Sequence, residues 1–363
     1  METLLTAFLA GWLLTLAAIR LSRYIEHFAH DHDLSGPQKI HAVPVPRIGG
    51  VGIVGGAALA VLVYDLRSGE GVWWGSWLLL AAMPAFVVGF IEDLTKKVSP
   101  GGRLLATAVS ALLAMGMLDA VLRRADVPGL DWLMSTSVGA GVLTVLAVAG
   151  IANSVNIIDG FNGLASMCSV IMMAAIAYVA FQVGDQALMV MALAGIGAVL
   201  GFFLWNFPAG YIFLGDGGAY FLGFYVAELG ILLLHRNPQV SPMFPLLVCI
   251  YPVFETIFSI YRRVVVRGRK ASMPDGIHLH SLVFKRLMRW AVGSDDARSR
   301  TRRNSMTSPY LWLLCSFSVV PAMLFWQRTS WLLGFVLAFA VVYVALYSRI
   351  VRFRTPRWLV FRR

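Results

Sequence analysis

Long apolar runs alternate with short polar breaks along the whole chain. The runs cover 4–21, 48–64, 72–91, 103–121, 134–152, 164–182, 187–206, 218–234, 243–261, 309–327 and 330–348. Each approaches or exceeds the ~18 apolar residues that carry a helix across a bilayer. The pattern predicts an all-α polytopic membrane protein with about eleven transmembrane helices. A single integral membrane domain is expected over 1–363, with a large basic loop at 262–308 and the last two helices plus a basic tail at 309–363. The first run begins Met1-Glu2 with no basic stretch before it, so it reads as an anchor rather than a cleaved signal.

Composition agrees: 58% of residues are hydrophobic, 13% are charged and the mean hydropathy is +0.74, beyond the usual apolar share of a soluble domain. Cys168, Cys249 and Cys315 all fall inside apolar runs and so imply neither a disulfide framework nor a zinc site. Charge then sets an orientation. Arg20 and Arg23 close the first run, which places the N-terminus outside, and alternation puts 25 of the 30 lysines and arginines on the cytoplasmic side, with the C-terminus also inside. The net charge of +11 is therefore mostly a property of the inner face, suited to anionic lipid or an anionic substrate. No nucleic-acid-binding module accompanies it, so nucleic acid is not an expected partner.

The polar breaks are unequal. "KIHAVPVPRIGG" (39–50), "GFIEDLTKKVSP" (89–100), "NSVNIIDGFNG" (153–163), "WNFPAGYIFLGDGG" (205–218) and "RGRKASMPDGIHLHSLVFKR" (267–286) all fall on the inner side. The outer breaks hold scattered polar residues such as Asp65, Glu70, Asp126, Asp131 and Asp185. Five clusters on one face predict one composite site there. Glu92, Asp93, Asp159 and Asp216 would repel one another and any phosphate, so hard oxygen ligands beside Lys39, Arg47, Lys96 and Lys97 suggest a Mg2+ bridging them to phosphate. Asn156 and Asp159 share a face if the preceding helix runs through them. Gly160 and Gly163 allow a turn, and "GDGG" at 215–218 offers a helix N-terminus to an anion. His278 and His280 share a face only in an extended segment; without cysteines nearby, a donor-diphosphate contact suits them better than zinc. Glu228 and Glu255 lie midspan, and an arginine within a helix turn or two is the expected partner of Glu255.

Together, "PVPRIGG", "GFIEDLTKK", "NSVNIIDGFNGLA", "WNFPAGYIFLGD" and "HLH" resemble the polyprenyl-phosphate N-acetylhexosamine-1-phosphate transferases, in order and in loop placement from residue 39 to about 290. The likeness is nearest to the bacterial undecaprenyl-phosphate UDP-N-acetylglucosamine type, because the muramoyl-pentapeptide translocases have ten spans and three consecutive histidines. The resemblance implies transfer of a sugar 1-phosphate from a UDP-N-acetylhexosamine to undecaprenyl phosphate with release of UMP. This would be the first membrane step of a cell-surface glycan, at the cytoplasmic face of a bacterial inner membrane. It implies Asn156 and Asp216 as ligands of Mg2+, with Mn2+ as a substitute. Glu92 and Asp93 match the acidic pair that deprotonates the lipid phosphate or positions the metal, and Asp159 matches a carboxylate near the nucleotide. Asp216 joins these three as a catalytic candidate. Lys39, His41, Arg47, Lys96, Asn153, Asn206, His278 and His280 are the implied substrate contacts, and a homodimer is an assembly common among relatives.

Two departures stand out: Glu92 replaces the usual Asp, and Ala219 replaces a Ser after the Gly-Asp motif. Direct attack by the lipid phosphate on the β-phosphorus is the favoured route, with a phospho-aspartate path as its alternative. A muramoyl-pentapeptide translocase activity, a secondary transporter and an inactive lipid-binding scaffold are the competing readings.

Overall fold

Pro252 divides one predicted apolar run into two helices. In this computed structural model, which describes residues 1–22, 45–68, 73–268, 276–288 and 297–352, the run 243–261 forms two helices, Met243–Val248 (α10) and Ile250–Tyr261 (α11). Pro252 has no N–H to return to the Val248 carbonyl, and its ring crowds that carbonyl, so the ladder stops at Cys249. Ten other described helices are long and apolar enough to span a bilayer. They are α1 (Glu2–Ser22), α2 (Gly50–Ser68), α3 (Trp74–Thr95), α4 (Pro100–Leu118), α6 (Ser137–Ile158), α7 (Leu164–Gln182), α8 (Gln186–Asn206), α9 (Gly215–Arg236), α13 (Ala297–Leu324) and α14 (Thr329–Val351). Short helices α5 (Pro128–Met134) and α12 (Leu279–Leu282) complete the order, with π-helical turns at Arg262–Val266 and Val283–Met288. No strand occurs among the described residues.

Helix α9 is the axis of the bundle. Every residue from Gly215 to Leu234 is buried, which agrees with a helix apolar on all sides. It packs against α2, α3, α4, α6, α7 and α8. Lipid is as apolar as leucine, so such packing depends on close backbone approach rather than on water exclusion. A Cβ added to Gly89 of α3 would lie 2.7 Å from the Gly217 Cα of α9, so glycine sets that crossing. Pro84 breaks the ladder within α3, and the Ala85 N–H donates to Ser110 Oγ of α4 at 3.0 Å.

At the end of the bundle away from the motif clusters, the described acids Asp65, Asp126, Asp131 and Asp185 are paired. Asp185 accepts from Arg236 Nε at 2.7 Å and Asn237 Nδ2 at 3.2 Å, and Asp65 accepts from Ser76 Oγ at 2.7 Å. Helix α13 starts well before the predicted 309. Side chains in its polar first turns hold a neighbouring loop: Asn304 accepts the Asn162 N–H and Ser308 donates to the Asn162 carbonyl.

Candidate active site

The approach to α2, the end of α3, the start of α4, the end of α6 and the start of α9 meet at one end of the bundle. Residues 46–50 lie along 213–214: Phe213 N–H donates to Pro46 O (2.8 Å), Gly49 N–H to Phe213 O (2.9 Å) and Gly50 N–H to Leu214 O (3.0 Å). These bonds bring Arg47 to the N-terminus of α9. Gly215 opens that helix at φ +77°, and a Cβ there would stand 2.6 Å from Asp93 Oδ2. Only glycine permits the contact.

Asp93 and Asp216 are joined through the backbone and through arginine. Asp93 Oδ1 accepts the Asp216 N–H and Oδ2 the Gly217 N–H, each at 2.9 Å. Both are first-turn donors of α9 with no partner inside their own helix. Asp93 therefore caps α9 from a neighbouring helix, its charge facing the positive end of the helix dipole. Arg47 Nε lies 3.6 Å from Asp93 Oδ1, and its Nη2 lies 3.4 Å from Asp216 Oδ1. Arg103 Nη1 of α4 donates to Asp216 Oδ2. Its guanidinium carbon stands 6.0 Å from the centroid of the Tyr220 ring, and the Tyr220 hydroxyl donates to Asn153 Oδ1 at 3.3 Å. Asn153, Tyr220, Arg103, Asp216, Arg47 and Asp93 form one continuous polar chain.

Glu92 points elsewhere, since consecutive helical residues diverge by about 100°. Its carboxylate accepts the Val98 N–H at 2.7 Å and closes the turn after α3, where Lys96 sits at φ +56° and donates its N–H to Glu92 O at 2.8 Å. The acidic pair thus divides into a helix cap and a turn lock.

Helix α6 ends at Ile158, so Asp159 is its C-terminal cap rather than a further turn, and its N–H donates to the Asn156 carbonyl at 3.2 Å. Burial pushes the Asp159 carboxyl up to about 7, with Asp216 and Asp93 adding to the rise and Arg47 opposing it. The expected turn follows, with Gly163 at φ +73°. Asn206 serves that turn: its Oδ1 accepts the Gly163 N–H at 2.6 Å and its Nδ2 donates to Ile212 O at 2.8 Å. From the other side, Asn304 Oδ1 accepts the Asn162 N–H at 2.8 Å, and Ser308 Oγ donates to Asn162 O at 2.6 Å.

His278 and His280 are buried and their rings stack, with centroids 5.0 Å apart and planes at 13°. His278 is extended and precedes α12, which begins at Leu279, so the two share a face across a helix start. His280 meets the Phe161 ring edge-on at 5.5 Å, and a Cβ on Gly160 would lie 3.6 Å from its Nε2. The histidine loop is therefore seated on the turn that carries Asp159. Glu255 pairs with His278 Nδ1 (2.9 Å) and the Tyr343 hydroxyl (2.7 Å), not with an arginine along its own helix. Across the loop and α14, sequence separation hid both partners.

Lys39 and His41 lie outside the described residues. Of the others, Arg47, Asp93, Asp216 and Asn153 share the polar chain, His280 rests on the turn that follows Asp159, and Glu92, Lys96 and Asn206 are seen in backbone contacts. Arg103 was not singled out in the sequence. One signal was available: a cation in the first turn of an apolar helix opposes the helix dipole and needs an acidic partner.

The donor set can be weighed against Mg2+. Among the described residues no three His, Cys, Asp or Glu side chains are grouped to cage an ion. Mg2+ commonly uses one or two carboxylates plus substrate phosphates and water, so a single carboxylate such as Asp216 fits a cation shared with a phosphate ligand.

Residues 76–234 match Glycosyl transferase family 4. The chain is 26% identical over 325 residues to the Bacillus subtilis protein named "Probable undecaprenyl-phosphate N-acetylglucosaminyl 1-phosphate transferase", covering 88% of this chain and 84% of that one. It is 28% identical to the decaprenyl-phosphate N-acetylglucosaminephosphotransferase of Mycolicibacterium smegmatis, covering 93% and 85%. It is 29% identical to the phospho-N-acetylmuramoyl-pentapeptide-transferase of Oceanobacillus iheyensis, covering 64% and 74%. The matched region holds Glu92, Asp93, Arg103, Asn156, Asp159 and Asp216, and over most of its length the chain is similar to proteins named as polyprenyl-phosphate N-acetylglucosamine 1-phosphate transferases.

Proposed function

We propose that this enzyme transfers the 1-phosphate of an N-acetylhexosamine from its UDP-sugar to undecaprenyl phosphate and releases UMP, at the cytoplasmic face of a bacterial inner membrane. The observation that carries the reading is the Arg47–Asp93–Asp216–Arg103 junction, where carboxylates and guanidinium groups meet at a helix N-terminus. Such a junction can hold two phosphorylated substrates of like charge. The excess of lysine and arginine on the same side supports the orientation. A lipid phosphate reaches that surface while its prenyl chain stays in the bilayer.

In the reaction, an oxygen of the lipid phosphate attacks the β-phosphorus, the new P–O bond forms, and the bridging oxygen leaves with UMP. Asp216 and Asn156 would hold Mg2+, which would supply charge neutralisation for the diphosphate and the leaving group. Arg47 and Arg103 orient phosphate oxygens beside Asp216. Asp93 keeps the α9 terminus and Asp216 in place through its two backbone bonds. Both Asp93 oxygens accept N–H groups of α9, which supports direct attack over a phospho-aspartate at Asp93.

The test is UMP release by purified protein given undecaprenyl phosphate, Mg2+ and a panel of UDP-sugars that includes the muramoyl-pentapeptide donor. Turnover with one UDP-N-acetylhexosamine is expected. Absence of UMP with every donor would overturn the reading.

A further inference from the structure

Glu255 in α11 is fully buried, and an ionised group in that position costs several kcal/mol unless donors surround it. Three do. His278 Nδ1 lies 2.9 Å from Oε1, the Leu279 N–H donates to the same oxygen at 3.2 Å, and the Tyr343 hydroxyl donates to Oε2 at 2.7 Å. Oε1 takes the Leu279 N–H and Oε2 the Tyr343 hydroxyl, the pattern of an ionised carboxylate, and an ionised carboxylate oxygen can only accept. His278 Nδ1 is therefore a donor. This fixes the proton on Nδ1 and turns Nε2 away from Glu255. The ring plane is fixed as well, because His278 stacks on His280, which rests against Phe161 and Gly160 beside Asp159.

A carboxylate that only stapled the loop to the bundle would need the Leu279 N–H and the Tyr343 hydroxyl, and the neighbouring ring could turn freely. Here the same oxygen that holds the backbone also selects the tautomer. We infer that Glu255 is a positioning residue, which holds His278 with its proton on Nδ1 so that Nε2 faces the diphosphate of the sugar donor. The inference rests on the reading of the histidine loop as a donor contact. It adds a residue from a different helix, nearly two helix turns from the cytoplasmic end of the ninth predicted span, whose effect passes through His278.

Two measurements test it. The first is a double-mutant cycle on kcat/KM for the UDP-sugar. Glu255→Leu should lower it at least about tenfold in the native background but less than about twofold in His278→Ala, with KM for undecaprenyl phosphate unchanged within about twofold. Glu255→Gln, whose amide oxygen can still accept from Nδ1 and Leu279, should recover activity to within about threefold. Equal losses from Glu255→Leu in both backgrounds would make Glu255 a structural staple and overturn the proposal. The second measurement needs no turnover: 15N resonances of histidine-labelled protein at about pH 9, where an ordinary imidazole is neutral, assigned by their loss in His278→Ala. A single Nδ1-protonated tautomer is expected in the native protein and a mixture in Glu255→Leu. A native His278 protonated on Nε2 would overturn the proposal even if Glu255→Leu failed to fold. Native protein that turns over no UDP-sugar would remove the donor reading, while the tautomer would still decide the role of Glu255.

Discussion

Asp93→Asn separates a capping carboxylate from a chemical base. The native carboxylate accepts two N–H groups of α9, both at 2.9 Å. Asparagine has the same shape but only one acceptor oxygen, so its NH2 must face one of those donors. One charge-assisted bond, about 1.5–3 kcal/mol, is lost, and the other weakens to a neutral bond of about 1 kcal/mol. Loss of the charge at the helix terminus adds about 1 kcal/mol. Relief of repulsion between Asp93 and Asp216 offsets part of this, leaving about 3 kcal/mol. At about 2 °C per kcal/mol for a chain of this size, the melting temperature should fall by about 6 °C. Cys168, Cys249 and Cys315 are buried and free, so a thiol-reactive dye that fluoresces on reaction reports unfolding in detergent directly. Turnover should fall too, because Asp216 shifts with its helix. A variant that melts within about 1 °C of the native protein yet has no turnover would refute the cap and make Asp93 the base.

Asp216→Asn should keep less than about a tenth of the native rate, a barrier change above about 1.4 kcal/mol, and EDTA should abolish turnover until Mg2+ or Mn2+ is restored; full activity in chelator would remove the metal from the mechanism. Arg103→Ala should lower kcat/KM at least about tenfold, while Arg103→Lys should recover part of it by keeping the charge beside Asp216 without the planar fork; native rates in Arg103→Ala would make that contact incidental. Burial holds the Asp159 carboxyl near 7, above its ordinary 3.8, so the folded protein keeps a proton that the unfolded chain loses between those values. The stability this confers is present at low pH and is lost as pH rises through about 7. Asp159→Asn should thus melt with the native protein near pH 4 and above it near pH 8 in metal-free buffer; coincident melting near pH 8 would show that the site does not disfavour the charge.

Much of the fold was legible because a bilayer leaves few choices. With no water to satisfy peptide groups, each apolar run of sufficient length becomes a helix, and ten of the eleven predicted runs did so as single elements. The exception at 243–261 carried its own sign in Pro252, which cannot donate to the helical ladder. The long polar start of α13 carried no such sign. Asn304 and Ser308 acquire partners only when the turn at Asn162 is brought to them.

The site shows the same division. Which residue types gather at one end of the bundle follows from sequence alone, because alternating spans return every second break to the same face. What each side chain does there was decided by tertiary contact. Neighbours in sequence separated, as Glu92 closed a turn and Asp93 capped a distant helix. Residues far apart in sequence joined, as Arg103 met Asp216 and Glu255 met His278. Apolar periodicity encodes burial against lipid or protein and so survives in a one-dimensional pattern. A hydrogen bond depends on the distance and direction between two atoms from different helices, and those exist only once the helices have packed.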